Sequence, residues 1–192
     1  MANTECKNAV KTSPKLEKVT FASGCFWCIQ PSFDRLKGVV STVVGYTGGR
    51  KKDPTYEEVS SGTSGHAESI EIVFDPSQVT YSELLDLFWR NVDPTTRDRQ
   101  FVDVGDQYRT AIYFHSEEQR KLAVASKETM ERSGKFGDNP IVTEIVPAST
   151  FFPAEEYHQK YYQKNSERYK FCRFNSGREQ YLEKTWGKNA KE

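Results

Sequence analysis

Strand-like and helix-like segments alternate along this chain in the order β-α-β and again β-α-β, with extra elements at the end. The strand-like segments are 18–22, 39–46, 68–74, 108–114 and 141–146. The helix-like segments are 26–37, 55–60, 81–91, 117–133 and 154–162. This order is the split β-α-β pattern of a ferredoxin-like core with a mixed sheet. The sequence therefore predicts an α+β fold, built as a two-layer α/β sandwich.

The length of the chain fits one domain. At 192 residues it lies in the usual range of a single domain, and a chain of this size buries enough surface to fold without disulfide or metal support. Residues 1–16 are polar, which predicts a flexible lead-in. We therefore expect one folded domain over 17–187, followed by a short tail at 188–192.

Charge and composition exclude several classes of protein. Lysine and arginine together number 27, as do aspartate and glutamate, so the net charge is zero and nucleic-acid binding is disfavoured. The chain has no apolar run of about 18 residues, so it predicts no transmembrane helix and no membrane association. Residues 1–14 lack the apolar core of a signal peptide. Four cysteines are too few for a disulfide scaffold, and we expect a cytoplasmic protein.

Two cysteines stand three positions apart where a predicted strand turns into a predicted helix. Gly24 permits the tight turn, and Cys25 then lies at the helix N-terminus, where free N–H groups and the helix dipole favour a thiolate. Cys28 lies one turn further along, so the two sulfurs can approach each other. This spacing predicts redox or metal chemistry. The alternative is that both cysteines are small buried hydrophobic residues.

Glu68 shares one face of its predicted strand with apolar residues. Strict alternation places Glu68 beside Ile70, Ile72 and Phe74, whereas Glu71 lies on the opposite face. Burial on an apolar face raises the pKa of a carboxyl group, which makes Glu68 a candidate proton donor near neutral pH. The alternative is that Glu68, at the start of the strand, turns out into water.

Five other side chains are weaker candidates. Phe26 and Trp27 can wall an apolar pocket for a small group such as a methyl, although both equally suit a core. Tyr108 begins a predicted strand, and its hydroxyl then needs a buried partner. Asp103 lies in a long loop, where functional residues are common, although a surface turn is the simpler interpretation. Tyr56 follows a glycine-rich loop and has no distinguishing feature of its own.

Metal and nucleotide sites are less well supported by the sequence. Cys25, Cys28 and Cys172 with one histidine would make a Cys₃His zinc site, but Cys172 has no paired ligand at zinc-site spacing. The phosphate-binding glycine motifs are absent from the sequence. Besides a redox enzyme that uses a specific acid, two other hypotheses therefore remain. One is a general dithiol–disulfide oxidoreductase that does not need Glu68, and the other is a zinc-stabilised binding module.

Seven short blocks follow one another along the chain. They are Gly24-Cys25-Phe26-Trp27, Gly45-Tyr46-Thr47-Gly48-Gly49, Pro54-Thr55-Tyr56-Glu57-Glu58-Val59, Gly65-His66-Ala67-Glu68, Asp103-Val104-Gly105-Asp106-Gln107-Tyr108-Arg109, Ala154-Glu155-Glu156-Tyr157-His158-Gln159 and Ser176-Gly177-Arg178. In this order and spacing the chain resembles the A-type peptide methionine sulfoxide reductases over about residues 18–187. Any one block is weak, and the specificity lies in their combination.

The resemblance implies an oxidoreductase that repairs oxidised proteins and needs no metal or organic cofactor. Its substrates would be oxidised proteins and free methionine sulfoxide in the S epimer. Carried over by position, Cys25 is the nucleophile and Glu68 gives a proton to the sulfoxide oxygen. Tyr56 and Tyr108 hydrogen-bond that oxygen. The substrate-binding residues implied in the same way are Phe26 and Trp27 for the methyl group and Asp103 for the substrate backbone.

The resemblance leaves the recycling step open. A second thiol must condense with the oxidised Cys25, and a thioredoxin-like protein would reduce the resulting disulfide. Cys28 is the nearer candidate, whereas Cys172 is the alternative resolving cysteine. Family members often carry an aromatic residue at the position of Cys172, so we expect Cys172 to be a buried packing substitution. Cys6 lies in the lead-in and is expected to be incidental.

Overall fold

The computed structural model describes residues 15–187. The predicted tail and nearly all of the predicted lead-in, including Cys6, lie outside the described residues. The strands are β1 Glu17–Ser23, β2 Val39–Thr47, β3 Ala67–Phe74, β4 Arg99–Gln100, β5 Asp103–Val104, β6 Thr110–Phe114, β7 Glu144–Pro147 and β8 Phe152–Pro153. The helices are α1 Phe26–Asp34, α2 Tyr56–Ser60, α3 Tyr81–Trp89, α4 Glu117–Arg132, α5 Tyr161–Lys164, α6 Ser166–Asn175 and α7 Arg178–Trp186.

Six strands form one mixed sheet, in the order β7-β6-β1-β3-β2-β8. The β6–β7 pair is parallel, and the other neighbouring pairs are antiparallel. The short strands β4 and β5 form a separate hairpin. Helices accompany this sheet throughout, which confirms the predicted α+β class with a mixed sheet.

The alternation in β3 produces the buried face that the sequence predicts. Ile70, Ile72 and Phe74 are fully buried, whereas Glu71 and Val73 between them are only half-buried. These three side chains belong to the main hydrophobic core, which they share with residues of β1, α1 and α3. The hydrophobic pattern thus fixes the register of β3, because a slip of one residue would expose this entire face.

Side-chain caps define where three of the helices begin. The side chains of Thr55 and Thr80 each accept a hydrogen bond from the backbone N–H three residues on. The glutamate at that position accepts in return from the backbone N–H of the threonine, which forms a capping box at α2 and at α3. Ser116, the predicted cap of α4, accepts from the backbone N–H of Gln119 at 3.2 Å. Among residues 15–187, none of the helices is both long and apolar enough to cross a membrane.

Two predicted elements are wrong, for local reasons. Tyr108 does not begin a strand: it ends a 3₁₀ turn that starts at Asp106, after Gly105 with a φ of 141°. The predicted helix 154–162 is instead another 3₁₀ turn followed by α5. Lys160 adopts a left-handed φ of 52°, which interrupts a helix at that point.

The last two helices were not predicted. Every residue of α6 is exposed or half-buried, so its sequence lacks the apolar stripe that marks an amphipathic helix. Only Arg178 and Leu182 of α7 are buried. Both helices therefore carry too weak a periodic signal to be recognised.

Candidate active site

Gly24 makes the tight turn between β1 and α1. Its φ is 73°, and a Cβ atom there would lie 2.5 Å from Cβ of Gln100, so both the backbone conformation and the space require glycine. Cys25 caps α1 and is partly exposed, whereas Cys28 in the first turn is 5% exposed. The predicted location of Cys25 at a helix N-terminus is confirmed.

Cys25 and Cys28 are free thiols whose side chains interact. Interaction with Cys28 raises the pKa of Cys25, together with burial and the nearby acidic groups Glu68 and Asp103. Interaction with Cys25 lowers the pKa of Cys28 to about 6, against the effect of burial and with help from the positive charge of Arg178.

Each thiol is the largest influence on the pKa of the other, so the two titrate together and favour one negative charge on the pair. That the helix N-terminus favours this charge on Cys25 stays a prediction.

Glu68 is buried beside this dithiol, with 2% of its surface exposed. Its Oε2 accepts a hydrogen bond of 3.0 Å from the backbone N–H of Phe26, the first residue of α1. Burial raises the pKa of Glu68 to about 8, although the bond from Phe26 opposes the shift. The carboxyl group is therefore protonated at neutral pH, as the strand pattern predicts.

Tyr56, Tyr108 and Asp103 reach the same place from three separate elements. Burial and the charge of Glu68 raise the pKa of Tyr56 to about 12, and the same two causes raise the pKa of Tyr108. Both hydroxyl groups therefore keep their protons and can donate. Burial also raises the pKa of Asp103, which is half-buried on β5. Asp103 influences both tyrosines and Tyr56 influences Tyr108, so the structure brings together three residues that no local pattern groups.

An aromatic wall borders the site. Phe26 is 1% exposed, and Trp27 stacks on Tyr161 with ring centroids 4.0 Å apart. The ring of His158 lies between them and α2, 5.2 Å from Phe26 and 4.4 Å from Tyr56. Together these rings present an apolar surface next to the dithiol.

His158 is a site residue that the sequence analysis missed. It is fully buried, and its Nδ1 accepts a 3.0 Å hydrogen bond from Nε1 of Trp27. Its ring proton is therefore assigned to Nε2, which lies 3.7 Å from Oε2 of Glu155. Burial lowers the pKa of His158, so the ring is neutral at neutral pH. The available signal was Trp27, because a buried indole N–H needs an acceptor.

Glu155 fixes the outer part of this wall. Its carboxylate accepts from the Tyr46 hydroxyl at 2.8 Å and from the Tyr56 backbone N–H at 2.9 Å. One carboxylate therefore ties α2 to β2 and to the turn that carries His158.

Cys172 lies on α6, which passes close to Cys28. The neighbouring residue Arg173 donates to the backbone carbonyl of Cys28 at 2.8 Å. Cys172 itself is exposed, so the expectation that it is a buried packing substitution is wrong. Among residues 15–187, no group of three or more histidine, cysteine, aspartate or glutamate side chains is arranged to hold a metal ion.

Comparison with known proteins points to one family. The family model described as "Peptide methionine sulfoxide reductase" matches residues 17–190. The "Peptide methionine sulfoxide reductase MsrA" of Methanococcoides burtonii is 58% identical over 149 residues, which cover 78% of this chain and 97% of that protein. A second MsrA, from Bacillus licheniformis, is 50% identical over 178 residues, or 93% of this chain and 98% of that protein.

A solved structure shares the fold. Reduced Mxr1 from Saccharomyces cerevisiae superposes with a TM-score of 0.74 at 36% identity, and the match covers 79% of this chain and 87% of Mxr1. Mxr1 has also been solved in complex with Trx2. That chain superposes with a TM-score of 0.55 at 29% identity, covering 80% of this chain and 91% of the other.

Proposed function

The chain belongs to the peptide methionine sulfoxide reductase family, and on that premise we propose that it returns the S epimer of methionine sulfoxide to methionine. The observation that carries the proposal is the placement of a protonated carboxyl, Glu68, beside a partly exposed cysteine at a helix N-terminus. A sulfoxide oxygen leaves only when it is protonated, so the reaction needs an acid next to the nucleophile.

In the proposed chemical step the sulfur of Cys25 attacks the sulfoxide sulfur while Glu68 protonates the oxygen. The sulfur–oxygen bond of the substrate breaks, and the oxygen passes to Cys25 as a sulfenic acid. Methionine leaves with its sulfur reduced by two electrons, and Cys25 is oxidised by the same two. In the same proposal, proton transfer from Cys25 to Cys28, the thiol with the lower pKa, supplies the attacking thiolate.

The remaining site residues bind and orient the substrate in this proposal. Tyr56 and Tyr108 keep their protons and donate to the sulfoxide oxygen. The rings of Phe26 and Trp27, whose centroids lie 6.3 Å apart, receive the methyl group, because these two residues directly follow Cys25 in the chain. Asp103, on the hairpin at the mouth of the site, accepts from the substrate backbone.

Recycling is assigned to Cys28 in this proposal. Its thiol condenses with the sulfenic acid of Cys25, which forms a disulfide and releases water. The backbone N–H of Cys28 donates to the Cys25 carbonyl at 3.0 Å, so the two residues share one turn, which supports this assignment. A thioredoxin-like protein then reduces the disulfide by thiol exchange, as the Mxr1–Trx2 complex suggests. A cytoplasmic location, where thiols stay reduced, suits such a cycle.

Serine variants distinguish the two candidate resolving cysteines. We expect Cys28→Ser to form one equivalent of methionine and then to stop with a sulfenic acid on Cys25, so that turnover with thioredoxin is lost. The matched control is Cys172→Ser, which should keep turnover because Cys25 and Cys28 suffice. Free-thiol counts after one equivalent of substrate give the answer. If Cys172→Ser arrests and Cys28→Ser does not, the resolving role belongs to Cys172.

We also propose a ferredoxin-like core and a single catalytic domain. The four central strands, in the order β6-β1-β3-β2 with antiparallel neighbours, support a ferredoxin-like core. The family match over 17–190 supports one catalytic domain across residues 17–187.

The decisive test of the function is turnover with dithiothreitol as reductant. We expect conversion of S-methionine sulfoxide to methionine, both free and in an oxidised protein, and at most trace conversion of the R epimer. Reduction of insulin disulfides without any sulfoxide turnover would instead favour a general dithiol oxidoreductase. Metal analysis of the same preparation addresses the zinc-stabilised alternative, since stoichiometric zinc would favour it.

A further inference from the structure

Arg178 is a buried cation to which the proposed reaction gives no role. It is the first residue of α7 and is 1% exposed. Its guanidinium donates to two backbone carbonyls, those of Asn91 and of Ser23, the latter at 3.3 Å. Among residues 15–187, no carboxylate forms an ion pair with it, and its Nε has no hydrogen-bond partner.

An arrangement of this kind is costly unless a negative charge compensates it. Removing a guanidinium from water is unfavourable, and hydrogen bonds to backbone carbonyls recover only part of that cost. Burial accordingly lowers the pKa of Arg178. A buried cation without an ion-pair partner therefore needs a negative charge nearby to stabilise it.

The guanidinium lies directly beneath the turn that carries Cys25. A Cβ atom on Gly24 would be 3.4 Å from Nη2 of Arg178, and Ser23, which accepts from the same Nη2, precedes that glycine. On another side the ring of Phe101 packs 4.5 Å from Cζ, which keeps water from that side of the charge. The anionic groups that its charge stabilises are Cys28 first, then Cys25 and Asp103.

We propose that Arg178 is the counter-ion of the dithiol, a positioning residue that stabilises one negative charge on the Cys25–Cys28 pair through the turn at Gly24. The inference rests on the proposed function for its purpose, since that reaction needs a thiolate twice: for attack on the sulfoxide and for thiol exchange. The guanidinium stabilises the charge on either sulfur. The charge can therefore move from one sulfur to the other while Arg178 still stabilises it.

Arg173 is the other cation near Cys28, and it is less suited to this role. It is more exposed, with 19% of its side chain accessible, and it pairs with Glu179 at 3.3 Å. Its charge is therefore partly neutralised and screened by water. The other titratable groups that face the dithiol are Glu68 on β3, Asp103 on β5, Tyr56 on α2, Tyr108 in the 3₁₀ turn and Tyr169 on α6.

The test is a titration of the thiols in a chain whose other cysteines, Cys6 and Cys172, are replaced by serine. The pH dependence of alkylation by iodoacetamide, which reacts with thiolates, gives the midpoint of ionisation for the pair. We expect Arg178→Gln to raise the midpoint by about one pH unit, which from about 6 lowers the thiolate fraction at pH 7 from about 90% to about 50%. Arg178→Lys should keep the midpoint near that of the wild type. The matched control is Arg109→Gln, because Arg109 is a half-buried arginine whose backbone partners, the carbonyls of Asp106 and Gly65, lie outside the turn at Gly24.

Thermal stability provides a second measurement in case Arg178→Gln folds poorly near neutral pH. The folded-state pKa of Cys28 is depressed, so its thiolate adds stability that is lost as pH falls through about 6. The loss of stability caused by Arg178→Gln should therefore be smallest in mild acid, grow as pH rises through about 6 and level off above the raised midpoint of the variant.

Two results would overturn the inference: an alkylation midpoint unchanged in a folded Arg178→Gln protein, or a stability loss that does not depend on pH. Neither measurement uses a sulfoxide. A chain that fails to reduce S-methionine sulfoxide would therefore defeat the proposed function while leaving the counter-ion result to stand or fall separately.

Discussion

We expect the Cys25→Ser variant to form no methionine from methionine sulfoxide, even in a single turnover. The sulfur of Cys25 must accept the oxygen of the substrate, and a serine hydroxyl has no accessible oxidation state with which to take it. Because the loss affects the first chemical step, excess dithiothreitol should not restore activity. The measurement is the methionine yield after one equivalent of substrate is mixed with reduced protein.

Cys172→Ser is the matched control, since Cys172 is exposed on α6 and its replacement leaves the first step intact. Circular dichroism of both variants should match that of the wild type. A full single-turnover yield from Cys25→Ser would transfer the nucleophile role to another thiol, and Cys28 would be the first to examine.

The second large effect is expected from Glu68→Gln. Glutamine fits the same buried space and can still accept from the Phe26 N–H, but it cannot protonate the sulfoxide oxygen. We expect the single-turnover rate to fall about 10²–10⁴-fold while the fold is kept. The control is Glu71→Gln on the same strand, because Glu71 faces away from the site and pairs with Lys18. A rate within a few-fold of wild type would show that water or another group supplies the proton.

The pH dependence follows from the same carboxyl group. With the pKa of Glu68 raised to about 8, the wild-type chemical step should slow as pH rises through that value, and Glu68→Gln should lack this decline. The folded state holds a proton that the unfolded chain has released above about pH 4.5. The contribution of Glu68 to the free energy of unfolding therefore falls between about pH 4.5 and 8, by roughly 1.4 kcal/mol per pH unit at most. The glutamine variant should become more stable relative to the wild type over this range.

Period-two alternation was enough to predict that Glu68 is buried and protonated. The pattern in β3 assigns faces residue by residue, and the pKa of Glu68 follows from the face that it occupies. The position of Cys25 at a helix N-terminus was equally local, since it depends on the strand, Gly24 and the helix that follows. Local signals of this kind are contained within about ten residues.

Contacts between distant parts of the chain could not be predicted from these patterns. His158 meets Trp27 across 131 residues, and Arg178 meets Ser23 across 155. Periodicity describes one element at a time. It does not predict which residue near the end of the chain contacts a turn near its beginning. The charge on the dithiol depends on such residues, because Arg178 lowers the pKa of Cys28, whereas the helix dipole acts within one element.

The hydrogen bond from Phe26 to Glu68 has a mechanical consequence. Phe26 directly follows Cys25. The backbone N–H next to the nucleophile therefore binds the carboxyl group of Glu68, through one hydrogen bond of 3.0 Å. Because Glu68 lies on β3, this bond ties the start of α1 to the sheet and limits how far the Cys25 backbone and the carboxyl group can move apart. The distance between the two reacting groups is therefore less sensitive to small motions of the fold than the distance between groups on elements that no such bond joins.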